Sequence, residues 1–301
     1  MKNNKTIEVA LLGGKGTVGS GLREFLPKFD SKYRFTVLDL KDSKDKCKIQ
    51  NSSEKIINID ITKEDEKLRT HLLNKDLIIY LARIDPLEKM NQMTDLVFNS
   101  IQDVCPEALV VASSSVHATG GAYFPFTKEP YSVIAKRQFE KLDVWPELLS
   151  SNLEPCPTKD YGLEKAYVES WCQRFAATDK FAVAARWGGI NDDNEMIDEV
   201  AYFTVWCHQE DSARFVDNCY KTFLDRKIRS GAHYYVISSN TYSIFDIETP
   251  KIELGYEPEY DAEIFYNSDE DNNLIEFTTN SNLKHTDRTT DELGYSKNRD
   301  I

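Results

Sequence analysis

The sequence predicts a doubly wound α/β fold, in which helices cover both faces of a parallel sheet, together with a smaller C-terminal lobe. Three observations support this prediction. Strand-like and helix-like segments alternate as far as residue 186, which is the pattern of parallel strands joined by helical crossovers. The strand-like segments are continuous apolar runs, as expected for strands buried on both faces. The first of them stops at Gly13-Gly14, and a helical pattern begins within a few residues.

The apolar runs and the helical spacings give the elements in order. We predict strands at residues 6–12, 34–38, 56–59, 76–81, 109–112 and 181–186. We predict helices at residues 17–25, 63–73, 87–104 and 161–177. Pro27 should end the first helix, because proline has no backbone N–H to donate.

The second half of the chain is less regular. Residues 120–160 contain five prolines and read as a long loop with a short helix near residues 135–142, and a loop of that length is usually functional. Beyond residue 186 we predict a helix at 210–224, a strand at 233–238 and a short helix at 250–254. We therefore divide the chain into a doubly wound α/β domain (1–186), a smaller lobe partly interleaved with the sheet (187–266) and a polar tail (267–301).

Composition and charge exclude several kinds of partner. The formal net charge of −13 repels phosphate backbones, so we expect no nucleic-acid partner. No run approaches the ~20 apolar residues that span a bilayer, and the N-terminus lacks the apolar core of a signal peptide. The six cysteines are widely scattered without a Cys-x-x-Cys pair, which predicts reduced thiols in a cytoplasmic protein.

Gly13, Gly16 and Gly19 follow the first strand and open the first helix, as in a dinucleotide-binding Rossmann domain. The first glycine permits a tight turn, and the second lets the backbone approach a pyrophosphate at the helix N-terminus. Asp39 ends the second strand, twenty residues after Gly19, where an acid binds the ribose 2′-hydroxyl of NAD and repels a 2′-phosphate. The sequence therefore predicts NAD as the cofactor, with Asp60 near its adenine edge.

Tyr161 and Lys165 lie four residues apart on one face of a predicted helix. An ammonium near a phenol favours the phenolate, so Lys165 should lower the pKa of Tyr161. Tyr161 could then take a proton from a hydroxyl while hydride leaves the same carbon. Ser113, Ser114 and Ser115 end a core strand, and their hydroxyls should reach the cleft at the carboxyl edge of the sheet.

These motifs resemble the extended short-chain dehydrogenase/reductases, the NAD-dependent epimerase/dehydratase family, over about residues 5–260. The matching features are Gly13, Gly16, Gly19, Asp39, Asp60, Ser113 to Ser115, Tyr161, Lys165, Glu169 and Arg186. Within that family the chain looks most like uronate dehydrogenases, because of Ser114-Ser115-Val116-His117, residues 206–211 and 238–240, and Leu254-Gly255-Tyr256.

The resemblance implies an NAD-dependent oxidoreductase acting on a sugar or sugar-like alcohol. It implies that Ser115 holds the reacting oxygen, that Tyr161 is the acid or base and that Lys165 assists it. His117 and Asp85 are the further substrate residues. The complete site is then predicted as Gly13, Gly16, Thr17, Val18, Gly19, Asp39, Asp60, Ile61, Leu81, Ala82 and Lys165 for the cofactor, and Asp85, Ser115, His117 and Tyr161 for the substrate, with no metal.

Several departures bear on the substrate. Arg83 stands where the family commonly has glycine or alanine, and Val116 and His117 stand where dehydratases have an Asp-Glu pair. Uronate dehydrogenases hold the sugar carboxylate with an arginine, yet residues 187–213 contain no arginine or lysine. We therefore expect a neutral or amine-bearing sugar, unless Arg83, Lys136 or Arg137 replaces that arginine.

Besides the NAD-dependent sugar dehydrogenase, two other functions remain open at this point. A nucleotide-sugar epimerase or ketoreductase would use the same residues, and a non-catalytic NAD-binding regulator could share the fold. A homodimer is also left open by the sequence.

Overall fold

In the computed structural model, which describes residues 5–49, 54–123, 126 and 128–266, seven strands form one parallel sheet. These strands are β1 (Ile7–Leu12), β2 (Tyr33–Asp39), β3 (Lys55–Asn58), β4 (Leu77–Tyr80), β5 (Leu109–Ser115), β6 (Ala182–Trp187) and β7 (His233–Val236). Their order is β3-β2-β1-β4-β5-β6-β7, so the chain reverses its direction of winding between β1 and β4. Ligands of doubly wound folds bind at the carboxyl ends of the strands beside such a reversal. The predicted fold is confirmed.

Nine α-helices accompany the sheet within the described residues: α1 (Thr17–Phe29), α2 (Asp65–Leu72), α3 (Leu87–Val104), α4 (Gly120–Tyr123), α5 (Tyr131–Ala135), α6 (Asp160–Ala176), α7 (Tyr202–Val205), α8 (Gln209–Leu224) and α9 (Glu248–Leu254). Three short 3-10 helices lie at Val116–Thr119, Phe139–Lys141 and Ala262–Phe265.

The helices create a core on each face of the sheet. Residues of α1 and α8 pack on one face around Leu22 and Phe215, while α3 and α6 pack on the other around Phe98 and Phe175. Burying a large apolar side chain stabilises the fold by about 1.5–3 kcal/mol, so both layers contribute substantially. A third core joins the loop after β5 to the C-terminal half, with Trp206 at its centre.

Two local predictions were wrong. Pro27 lies inside α1, which continues to Phe29, because a proline that cannot donate still has a helical φ and the last turn closes through the Asp30 N–H and the Leu26 carbonyl (3.2 Å). The short helix expected near residues 135–142 instead ends at Ala135. Arg137, with a φ of 53°, interrupts the helical path before the 3-10 turn at 139–141.

The remaining predictions concern the domains, the C-terminal tail and membrane-spanning segments. The division into a Rossmann domain and a substrate lobe stays a prediction, although β7 of the C-terminal half does complete the sheet. The polar tail predicted at 267–301 lies outside the described residues. Among the described helices, not one has the length and apolar character needed to cross a membrane.

Candidate active site

An open cleft of about 910 Å³ lies at the carboxyl ends of the strands. Ten of the eleven residues predicted for the cofactor line it, in one continuous wall. They are Gly13, Gly16, Thr17, Val18, Gly19, Asp39, Asp60, Ile61, Leu81 and Ala82. Lys165 is not among the lining residues, because its side chain is buried behind them.

The turn after β1 requires glycine at its first position. Gly13 has a φ of +79°, and a Cβ there would lie 2.6 Å from the backbone nitrogen of Ala82. No larger residue fits, since it would be strained and would also push away the chain after β4. Gly16 precedes α1 as its N-cap and makes no side-chain capping hydrogen bond, and the first residues of the helix line the cleft.

Asp39 is held firmly at the end of β2. Its carboxylate accepts hydrogen bonds from the backbone N–H groups of Lys15 (2.9 Å) and Leu40 (2.8 Å). The ammonium of Lys15 donates to the Leu40 carbonyl (2.7 Å) and so points along the same edge. Asp60 sits one strand further, and a hydrogen bond from Lys63 holds the pKa of its carboxyl below the ordinary value.

Ser115, His117 and Tyr161 line the same cleft as the glycine turn. The Ser115 hydroxyl accepts a hydrogen bond from the backbone N–H of His117 (3.3 Å). The rings of His117 and Tyr161 meet edge to face, with their centroids 5.3 Å apart. Gly162 permits this approach, because a Cβ there would lie 2.5 Å from the His117 carbonyl oxygen.

The ammonium of Lys165 lies close to the Tyr161 ring. Its side chain is 2% exposed, and its Nζ lies 5.2 Å from the centre of the Tyr161 ring. Burial lowers the pKa of the Lys165 ammonium to about 8, while the neighbouring Glu164 carboxylate opposes this change. The Lys165 ammonium therefore releases its proton at a lower pH than an ordinary lysine does.

A buried ion pair fixes the helix that carries these residues. Arg186 of β6 donates two hydrogen bonds, both of 2.8 Å, to the two carboxylate oxygens of Glu169 on α6. Ser114 donates a third hydrogen bond to Glu169 (2.5 Å). Bidentate pairs constrain orientation as well as distance, so β5, β6 and α6 are locked together beneath the cleft.

Asp85, predicted to face the substrate, lies outside the residues that line the cleft. Its side chain is 76% exposed and pairs with the Arg83 guanidinium (2.7 Å). The prediction for Asp85 therefore gains no support from its position.

The cleft also contains side chains that the sequence did not place there. Lys15, Lys46, Arg83, Tyr123, Trp187 and Tyr202 all line it. Lys46 donates to the Thr17 hydroxyl (2.9 Å) and pairs with Asp192 (3.3 Å), so it crosses the cleft from the segment after β2. No local motif marks Lys46, and only the bulky Arg83 gave a sequence signal.

Comparison with known proteins adds a structural likeness. No family model matches the chain, and no curated protein sequence matches it. Among solved structures, uronate dehydrogenase from Agrobacterium tumefaciens superposes with a TM-score of 0.66 at 17% identity, covering 87% of each chain. The dTDP-glucose 4,6-dehydratase from Bacillus anthracis, solved in complex with NAD, gives 0.63 at 12% identity over 94% of this chain and 98% of that one. UDP-glucose 4-epimerase from Brucella ovis, also with NAD, gives 0.58 at 13%, over 84% and 94%.

The chain shares the fold of these enzymes. Identities this low establish the architecture, and the chemistry must be argued from the residues in the cleft. The resemblance found in the motifs thus has a counterpart in three dimensions, because uronate dehydrogenase is among the structures that superpose over most of the chain.

Proposed function

We propose that the protein is an NAD-dependent oxidoreductase that transfers hydride between NAD and a sugar-type alcohol. One observation carries the proposal: Ser115, His117 and Tyr161 line the same cleft as the glycine turn and Asp39. A dinucleotide extending along that wall from Asp39 would bring its far end to Tyr161. The likeness to uronate dehydrogenase, dehydratase and epimerase structures, two of them solved with NAD, supports the same conclusion.

The residues present fit NAD. The uncapped N-terminus of α1 offers N–H groups to a pyrophosphate. A Cβ at Gly16 would meet only the Gly13 carbonyl oxygen, at 3.6 Å, so protein atoms leave room beside Gly16 for a ligand. The Asp39 carboxylate suits two ribose hydroxyls and disfavours a 2′-phosphate. The bound nicotinamide would supply a hydride acceptor.

The protein's own groups then handle the proton. Ser115 would donate a hydrogen bond to the reacting oxygen, and Tyr161 would take the proton from the same hydroxyl as the hydride leaves. The buried ammonium of Lys165 would stabilise the phenolate, because a nearby positive charge favours the ionised phenol. His117, edge to face with Tyr161, would contact the sugar beside the reacting carbon.

We propose further that the sugar is neutral or carries an amine rather than a carboxylate. The two arginines that could replace the missing one are already engaged. Arg137 forms two 2.8 Å hydrogen bonds with Glu263 and lies 3.7 Å from the Tyr266 ring. Arg83 is bound by Glu164 and Asp85. Lys136, the third candidate, is not among the residues that line the cleft. A carboxylate that used either arginine would therefore have to displace an existing partner, at a cost in affinity.

The cysteines favour a reducing compartment. All six are free thiols, and four are buried. We propose that the protein works in the cytoplasm, where thiols remain reduced.

Two other functions make different predictions. A nucleotide-sugar epimerase would retain NAD through purification and release no net NADH. A non-catalytic regulator would bind NAD without turnover, and Tyr161→Phe would change nothing measurable.

The test combines binding with turnover. Thermal-shift measurements with NAD and a panel of neutral sugars, amino sugars, uronates and sugar nucleotides identify the ligand class. NADH formation is then followed for the wild type and for Tyr161→Phe. We expect the variant to bind NAD normally and to lose about 10²- to 10⁴-fold in turnover. Unchanged turnover in the variant would refute the mechanism, and efficient oxidation of galacturonate or glucuronate would refute the substrate assignment.

A further inference from the structure

Arg83 and Glu164 form a chain of charges that ends at Lys165. The Arg83 Nε donates to the Glu164 carboxylate over 2.7 Å, and the same carboxylate oxygen lies 3.7 Å from the Lys165 Nζ. Glu164 and Lys165 are 1% and 2% exposed. On its other side the Arg83 guanidinium pairs with Asp85, which is 76% exposed. Water screens an exposed ion pair, so the buried contact of Arg83 with Glu164 is the stronger of the two interactions.

The two positively charged groups at the ends of this buried series, Arg83 and Lys165, lie beside the Tyr161 ring. The guanidinium carbon of Arg83 and the Nζ of Lys165 are each 5.2 Å from the centre of the Tyr161 ring. Arg83 comes from the segment after β4, whereas Glu164 and Lys165 belong to α6. The Glu164 carboxylate also contributes to raising the pKa of the buried Tyr80 hydroxyl of β4, and the His117 ring meets the Tyr161 ring edge to face. The ion pair of Arg83 with Glu164 therefore joins α6 to the segment after β4.

We propose that Glu164 and Arg83 are positioning residues, with Glu164 holding the Lys165 ammonium beside Tyr161 and Arg83 anchoring Glu164. A buried ammonium pays a desolvation penalty, and an adjacent carboxylate offsets it. Arg83 has two opposing effects on Lys165, because it fixes Glu164 in place and also repels the ammonium through space. This assignment rests on the proposed proton transfer by Tyr161 and Lys165.

The two residues should shift the titration of Lys165 in opposite directions. Removing Glu164 removes attraction, so the Lys165 ammonium loses its proton at lower pH. Removing Arg83 removes repulsion and frees Glu164 to approach Lys165, so the ammonium keeps its proton to higher pH. A residue with a merely structural role would not produce this opposition.

The experiment measures the Cε chemical shift of Lys165 by NMR across a pH series in lysine-labelled protein, with Lys165→Met used for assignment. In Glu164→Gln we expect the midpoint to fall by about 1–3 pH units, and in Arg83→Gln we expect it to rise. In turnover assays both variants should lose about 10- to 100-fold in kcat with little change in the KM for the sugar. Glu164→Asp keeps the negative charge on a side chain that is one methylene shorter. It should therefore recover part of the kcat that Glu164→Gln loses.

Arg69→Gln is the matched control, because it removes an ion pair between the surfaces of α2 and α3. It should leave the Lys165 midpoint unchanged. If Glu164→Gln does not fold, Glu164→Asp tests the same direction. Midpoints that stay fixed, or that move together in Glu164→Gln and Arg83→Gln, would overturn the inference. Because the titration needs no turnover, an inactive wild-type protein would instead contradict the proposed function.

Discussion

Replacing Lys165 with methionine should abolish turnover and yet make the fold more stable. The Lys165 ammonium is buried, and its pKa falls from the ordinary 10.5 to about 8. That difference corresponds to about 3 kcal/mol of destabilisation while the group is charged. Methionine has a similar length and carries no charge, and Arg83 still pairs with Glu164 at 2.7 Å. The Glu164 carboxylate therefore keeps a partner in the variant.

The expected gain is about 2–3 kcal/mol at pH 7, which for a chain of this length corresponds to a rise in Tm of about 3–5 °C. The gain has a defined pH dependence. Below pH 8 the lysine is charged in both the folded and unfolded states, so the full penalty is present. Between pH 8 and 10.5 the folded protein releases the proton while the unfolded chain retains it, and wild-type stability rises towards that of the variant.

Thermal unfolding without cofactor measures both quantities, and Lys89→Met provides the control. Lys89 is exposed on α3, so its replacement should change the free energy of unfolding by less than about 0.5 kcal/mol. The reasoning would be refuted if Lys165→Met were no more stable than the wild type at pH 7. It would equally be refuted if the difference did not shrink above pH 8.

Three further predictions concern other parts of the site. Asp39→Asn should narrow the preference for NAD over NADP by about 10- to 100-fold, because one charge-assisted hydrogen bond to the ribose is lost. Equal catalytic efficiency with NAD and NADP in the wild type would contradict this prediction. Ser115→Ala should lower kcat by about 10²- to 10³-fold in steady-state assays with NAD binding unchanged, and an equal loss of NAD affinity would count against its assigned role. Glu169→Gln should destabilise the fold by about 3–5 kcal/mol in urea unfolding, because it leaves Arg186 buried without its charge partner; a change below 1 kcal/mol would show that the pair is dispensable.

The sequence predicted the parts of the fold that short-range patterns determine. Continuous apolar runs located the strands, and the glycine spacing after β1 located a turn that lines the cleft. The helix ends near Pro27 and Arg137 could not be predicted from the sequence. Whether a helix continues past a proline, or stops at a residue with positive φ, depends on the packing around that residue. Helix boundaries near such residues are decided by tertiary contacts, and local patterns do not record them.

The site shows the same division. Ser115 and Tyr161, which were predicted from local motif spacing, both line the cleft, and Lys165 is buried beside Tyr161, while their catalytic roles stay predictions. The contacts of Glu164 with Arg83 join residues 81 positions apart, so neither residue signalled the other in the sequence. Asp85 was expected near the sugar from its position after β4, and its side chain instead pairs with Arg83 and is 76% exposed, so its role as a substrate residue stays a prediction. Which residues share a cleft is a property of the folded sheet edge.

Isotope transfer tests the central claim most directly. The sugar identified in the binding panel is labelled with deuterium at its reacting carbon and incubated with NAD, and the released cofactor is analysed by mass spectrometry. The account predicts deuterium in free NADH with the wild-type protein and its loss, by about 10²- to 10⁴-fold in rate, with Tyr161→Phe. Deuterium that never leaves the sugar, or that reaches NADH equally fast in Tyr161→Phe, would contradict it.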